Sequence, residues 1–200
     1  MHEVTGPAEQ AARDFDTRLD LARQEGSFLV LMVPLKGAAA AETRLKERFG
    51  LLHRNFDQLL ITALKEAADS AGASWETVLR ADGSPRGGRD WTRLQQLVAK
   101  SLPHALEGLR APDRTVLLTH PGLLGRYDQM QLLTSFAASI GRSDSATHGL
   151  WILVPCDDQN ARPTLLRQPI PVTGPAQWTR VPDLWITHPE SIVSRRLGAS

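Results

Sequence analysis

Cysteine is almost missing from this chain. Cys156 is the single one among 200 residues, which excludes an internal disulfide and any zinc cluster built on cysteine pairs. That usage fits a reducing cytoplasm, the expected location. Charge of one sign is missing too: 23 Lys and Arg stand against 22 Asp and Glu, a net +1. Such balance gives no general attraction to nucleic acid or to an anionic membrane. Long apolar runs are also absent, since residues 28–33 and 116–118 fall far below the roughly 20 needed to cross a bilayer. The opening Met1-His-Glu-Val-Thr has no basic segment followed by an apolar core, so no secretory leader is expected. Nor is there a phosphate loop with its lysine, a Gly-x-Ser-x-Gly elbow or a His-Glu-x-x-His pair.

What is present describes an ordinary globular chain, 42% hydrophobic and 22% charged and long enough for one domain with a substantial core. Residues 7–25 read as a helix with Ala11, Phe15, Leu19 and Ala22 on one stripe, stopped by Gly26. The run FLVLMV at 28–33 is apolar at every position, as in a strand covered on both faces. Helices are expected at 38–49 and 55–71, a strand at 73–80, and a helix at 91–109 capped by Asp90 and bent near Pro103. A strand at 115–120, a helix at 123–140 and a buried strand at 149–155 complete the pattern.

Strands alternating with helices imply an α/β fold: a predominantly parallel sheet of about four to five strands, helices on both faces, and more helix than strand. A degenerate nucleotide-hydrolase-like or flavodoxin-like arrangement fits. The expected organisation is an α/β domain over 1–160 and a proline-rich tail, 161–200, packed on it. Six of the 13 prolines lie between Pro163 and Pro189.

Ligands of open α/β sheets bind at the carboxyl ends of strands. A nucleotide hydrolase places acids there to hold magnesium and orient water. At the end of the 115–120 strand stand Thr119 and His120 instead, followed by Pro121-Gly122. His120 is a candidate base or ligand, against a purely structural part in the turn. Arg126 follows, with Asp128 beside it. Lys36 after the first strand is a candidate phosphate contact at the next helix start, although Lys36-Gly37 is in the wrong order for a phosphate loop. Arg86 and Arg89 in the glycine-rich stretch 83–89 are candidate anion contacts. Asp82, expected at a strand end, is a candidate metal carboxylate lacking a second acid. Cys156 is followed by Asp157 and Asp158, which raise rather than lower a thiol pKa. Trp178 and Trp185 either pin the tail or offer a hot spot to a partner. No catalytic residue, metal site or cofactor is assigned.

Three segments, TVLLTHPGLLGRYD at 115–128, GLWILVP at 149–155 and PIPVTGPAQWTRVPDLW at 169–185, resemble the C-terminal region of the large serine/threonine kinases of phage growth limitation systems, the BREX type 2 antiphage defences. The resemblance extends back through 28–48 and 73–91. It implies an accessory module of a multi-protein bacterial defence assembly, with other proteins of the system, or a second copy, as partners. Kinase activity is not implied, because the glycine-rich loop, Val-Ala-Ile-Lys, His-Arg-Asp and Asp-Phe-Gly are all missing. The leading expectation is a non-catalytic interaction module, cytoplasmic and without a membrane partner. The alternatives are a degenerate nucleotide or nucleic-acid binder using Lys36, Arg86, Arg89 and the Thr119–His120 strand end, and a hydrolase or nuclease in which Asp82, His120 and Asp157 or Asp158 converge.

Overall fold

Helix α1 (Pro7–Glu25) starts on Pro7, whose missing N–H costs nothing in a first turn, and ends where Gly26 turns left-handed at φ 67°. Only glycine fits there, because a Cβ would run into the carbonyl and ring of His148. The computed structural model describes residues 6–142, 145–158 and 161–188. After α1 come β1 (Phe28–Val33), one 3-10 turn at Leu35–Gly37, α2 (Ala38–Phe49), β2 (Leu52–Asn55) and α3 (Phe56–Ser70). Then follow α4 (Trp75–Asp82), α5 (Arg89–Glu107), β3 (Ala111–Thr119), α6 (Gly122–Arg126), α7 (Gln131–Ser139) and β4 (Thr147–Pro155). The tail contributes β5 (Thr164–Leu165), β6 (Gln168–Pro169), β7 (Trp178–Arg180) and α8 (Asp183–Thr187).

Five strands pair in the order β2-β3-β4-β1-β7, every neighbour parallel. The α/β expectation therefore holds, with 55% helix and 20% strand among the described residues. β1 has a strand on either side and is buried at all six positions, which is why it alternates with nothing polar. Its even residues Phe28 and Val30 join the core under α3, α4, α5, α6 and α7, while Leu29, Leu31 and Val33 join the core under α1, α2 and α8.

Several expected elements differ. The strand expected at 73–80 is instead the start of helix α4: Ser74 caps it by accepting from the Thr77 N–H at 3.3 Å, and Val78 is its buried residue. Helix α5 is capped by Gly88, with Asp90 in its first turn. The helix expected at 123–140 breaks into α6 and α7, because Asp128 takes φ 57° and Gly125 packs against the Leu165 backbone. On α1 the buried alanine is Ala12, not Ala11. Strand β2 was not expected at all.

The tail is built into the molecule. β7 pairs with β1, and Val181 and Trp185 are 3% and 0% exposed in the core. β5 and β6 form a hairpin whose two turn residues, Leu166 (φ 47°) and Arg167 (φ 69°), are both left-handed. Gln168 holds that hairpin to the body by donating to the Gly125 carbonyl at 2.9 Å and Asp128 Oδ1 at 2.7 Å. Among the described residues, no helix is long and apolar enough to cross a membrane.

Candidate functional site

The connection after β1 runs to α2 on one face, while the helix after β3 packs on the other. This reversal makes the carboxyl ends of β1 and β4 the expected ligand crevice. The crevice is occupied by the chain itself. Asp157 Oδ1 accepts from the Leu35 N–H at 2.8 Å, so a carboxylate already sits on the first amide after β1. Gly37 lies under α8, where an added Cβ would come within 3.2 Å of Ile186 Cδ1. Arg180 donates to the carbonyls of Asp158 and Ala161 at 2.7 and 3.0 Å, tying the exit of β4 to the tail. Lys36 is exposed beside this plug.

Beside it, the ends of β2 and β3 gather a polar cluster. Register places His53 opposite Leu117 and Asn55 opposite Thr119. His53 Nε2 lies 2.9 Å from Thr119 Oγ1 and 3.4 Å from Glu42 Oε1, and Lys46 donates to the same Glu42 oxygen at 3.0 Å. An acid–imidazole–hydroxyl composition invites a nucleophilic reading, but the geometry opposes it. A relay needs the acid on one ring nitrogen and the hydroxyl on the other, whereas here both face Nε2. Thr119 is also only 2% exposed. His120, in the turn after β3, takes φ 50°, contacts Asn55 Nδ2 through Nδ1 at 3.3 Å, and offers its carbonyl to the Asp57 N–H at 3.1 Å. Asp57 Oδ1 in turn accepts from the Leu123 N–H at 3.0 Å.

These contacts set the local titration. Burial pushes the His53 imidazole below its ordinary value, Glu42 pulls it back, and the positive Lys46, His120 and Arg54 add to the depression. Burial pushes the Asp57 carboxyl up, against the Leu123 N–H and the charge of His120. A cleft of about 510 Å³ opens beside His53, Asn55, Gln58 and His104. Arg54 crosses that edge, donating to the carbonyls of Gly108 and His53 at 2.8 and 3.0 Å.

Asp82, Arg86 and Arg126 meet in a third group, far from the role of a strand-end metal site. Asp82 ends helix α4 and receives the Arg126 fork, Nε and Nη2 each at 2.7 Å, plus the Tyr127 hydroxyl at 2.9 Å. Burial raises the Asp82 carboxyl, but the Arg126 and Tyr127 bonds outweigh it and hold it below the usual range. Burial, followed by the bond to Asp82, pushes Tyr127 up to about 12. Arg86 donates to the Arg126 carbonyl at 3.2 Å and lies 5.4 Å over the Trp91 ring. Arg89 opens α5, exposed. The structure thus spends Asp82, Arg86 and Arg126 on clasping α4 to α6. Among the described residues, no group of three or more His, Cys, Asp and Glu is placed to hold a metal ion.

The two tail tryptophans part company. Trp185 is wholly buried, donates to Asp16 Oδ1 at 3.1 Å and packs edge-on against Phe15, so it anchors the tail and has no surface left for a partner. Trp178 is half-buried in β7. Arg18 adds to the anchoring by donating to the Pro175, Ala176 and Trp178 carbonyls at 3.2, 2.8 and 3.1 Å.

At the amino end of the sheet, Arg23, Arg114 and His148 line a hollow of about 460 Å³. Two of these side chains are spent on carbonyls at helix ends: Arg114 donates to Gly50 and His148 contacts Arg23 O at 3.1 Å.

A stretch of 153 residues is 29% identical to the probable kinase PglW of Streptomyces coelicolor, covering 70% of this chain. The match spans 9% of that protein's length. No family model matches the chain, and no solved structure matches it at a significant level.

Proposed function

We propose that this chain is a non-catalytic interaction module of a bacterial antiphage defence system. The defence setting is supported by the similarity to PglW, taken with the resemblance of the 115–128, 149–155 and 169–185 segments to phage growth limitation kinases. The absence of catalysis is supported by one observation above all: the crevice where a nucleotide phosphate would bind carries the Asp157 carboxylate on the Leu35 amide. A second anion there would meet like charge in place of an open amide, and the sequence has no phosphate loop with its lysine to offer another cradle. PglW's kinase activity does not come with the similarity, since the matched stretch is a small part of that protein. Its partners here are other proteins of the system.

The test combines infection and binding. Deleting the coding sequence from a host with its neighbouring genes should raise phage plating, and restoring it should lower plating again. A Thr119→Ala/His120→Ala variant should protect as well as the wild type while folded, and calorimetry should show no heat of ATP binding. Unchanged plating after deletion would remove the defence assignment. ATP binding, or loss of protection in a folded Thr119→Ala/His120→Ala variant, would remove the non-catalytic one.

A further inference from the structure

We propose that this chain docks head to tail onto further copies of itself, the hairpin tip at Leu166 and Arg167 of one copy entering the groove beside Leu21 and Glu25 of the next. The proposal rests on the reading of the chain as an interaction module and names the occupant of one of its surfaces.

The tip is the first half. Two-residue hairpin turns with both residues left-handed are normally made by Asn-Gly or Gly, because side chains crowd the backbone there. Here the positions hold Leu166 and Arg167, and Leu166 is 62% exposed. The base of the hairpin is fixed: Leu165 is buried, Gln168 is bonded to Gly125 and Asp128, and Ile170 N–H donates to the Pro163 carbonyl at 2.9 Å. A rigid base therefore presents an apolar knob and a guanidinium in a conformation these residues rarely adopt. Strain kept at an exposed position of this kind points to use.

The second half is a groove of about 470 Å³ at the amino end of β1. Leu21, Ala22, Phe28, Ala137 and Ile140 give it apolar walls, and Glu25 stands on its rim. Leu21 is 53% exposed, so knob and groove each leave a leucine in water that the contact would cover. The charges match as well. Neither Glu25 nor Arg167 has an ion-pair partner among the described residues. Arg18 lines the same groove with its guanidinium turned onto three tail carbonyls, and Glu25 is the acid that the lining offers to an incoming arginine.

Position fixes the kind of assembly. The hairpin leans on α6, beyond the carboxyl end of β3, while the groove lies at the amino end of β1, with α7 running between the two. A knob and a socket at separate places on one molecule make a heterologous contact, which grows into chains or closes into rings.

Sedimentation velocity over a concentration series reaching the millimolar range should show average mass rising with concentration. Leu166→Asn/Arg167→Gly, which relieves the turn, should stay folded by circular dichroism and associate roughly 10- to 100-fold more weakly, the effect of losing one buried leucine. Arg167→Glu should weaken association, and adding Glu25→Arg should restore it. Leu21→Asp spoils the groove at an exposed helix position. Mixing it with Leu166→Asn/Arg167→Gly, each monomeric alone, should give heterodimers that grow no further. A wild type monomeric at every concentration, a turn variant that associates like wild type, or a mixture that stays monomeric would each overturn the proposal. If the wild type is monomeric yet the folded turn variant loses phage protection, self-docking fails while the interaction-module reading survives.

Discussion

His53 and Asp57 sit four residues apart in the chain and respond to pH in opposite ways. The folded His53 imidazole titrates below its ordinary, unfolded value, so the unfolded chain binds more protons in that window. Its neutral form contributes stability that is present above the ordinary value and lost as pH falls through the folded one. Asp57 titrates above its ordinary value, so its contribution is full below that value and declines as pH rises through the folded one. Asp57→Asn keeps an oxygen for the Leu123 N–H without the charge. Thermal melts should therefore show it more stable than wild type at neutral pH, with the gain fading in acid. Melts of His53→Gln should lose less stability than wild type between neutral pH and about pH 5. The Asp82 clasp gives a larger effect. Arg126→Ala strands a partly buried carboxylate and should cost about 1–2 kcal/mol after allowance for solvent screening, a fall of about 2–8 °C in Tm.

Elements whose periodicity is strong were legible in the sequence. α1, β1 and α2 have the bounds that Gly26, Pro34 and Gly50 announce. Those fixed by distant partners were not. β2 is four residues long, an edge strand with every position half-buried and a polar Leu-His-Arg-Asn sequence, so it carries no apolar pattern. Missing it hid the pairing that brings His53 and Asn55 to Thr119 and His120. The available signal was topological: α2 and α3 pack on opposite faces, and a chain changes face most simply through a strand. α4 was misread because half-apolar alternation resembles a strand, while its Ser74 cap was legible in principle. The α6–α7 break depends on Leu165, forty residues past Gly125, and no local window contains it. The β5–β6 turn has its own consequence for stability. Leu166→Asn/Arg167→Gly should raise the melting temperature by about 2–8 °C, since a left-handed side-chain residue costs about 1–2 kcal/mol and the glycine removes that cost at one position.

At the scale of the whole molecule, the tail shares a core and a strand pairing with the sheet. Asp16 is 5% exposed and serves both Arg48 Nη2, at 3.0 Å, and the Trp185 indole, at 3.1 Å, so α1, α2 and α8 share one buried carboxylate. Trp185→Ala should cost about 3–5 kcal/mol, a large part of the ~5–15 kcal/mol of a typical domain. A chain ending at residue 160 lacks β7, Val181 and Trp185 and should show no cooperative melt. Urea unfolding followed separately by tryptophan fluorescence and by circular dichroism gives the check: coincident transitions in the full chain, and no sharp one in the shortened chain. The overall class was readable from β–α alternation. That three residues of the proline-rich tail close the sheet edge beside β1 was not, since Trp178-Thr-Arg180 reads as loop until its partner is known.

The position of β1 inside the sheet, with a strand on either side, also governs how the chain must be made. Its neighbours are β4 and β7, so Phe28-Leu-Val-Leu-Met-Val33 finds no strand partner until Thr147 and later residues have been synthesised. For most of its time on the ribosome this protein trails six consecutive apolar residues with an open hydrogen-bonding edge on both sides, the composition from which aggregates grow. The same all-apolar strand that defines the finished core is the segment a nascent-chain chaperone would have to shield longest.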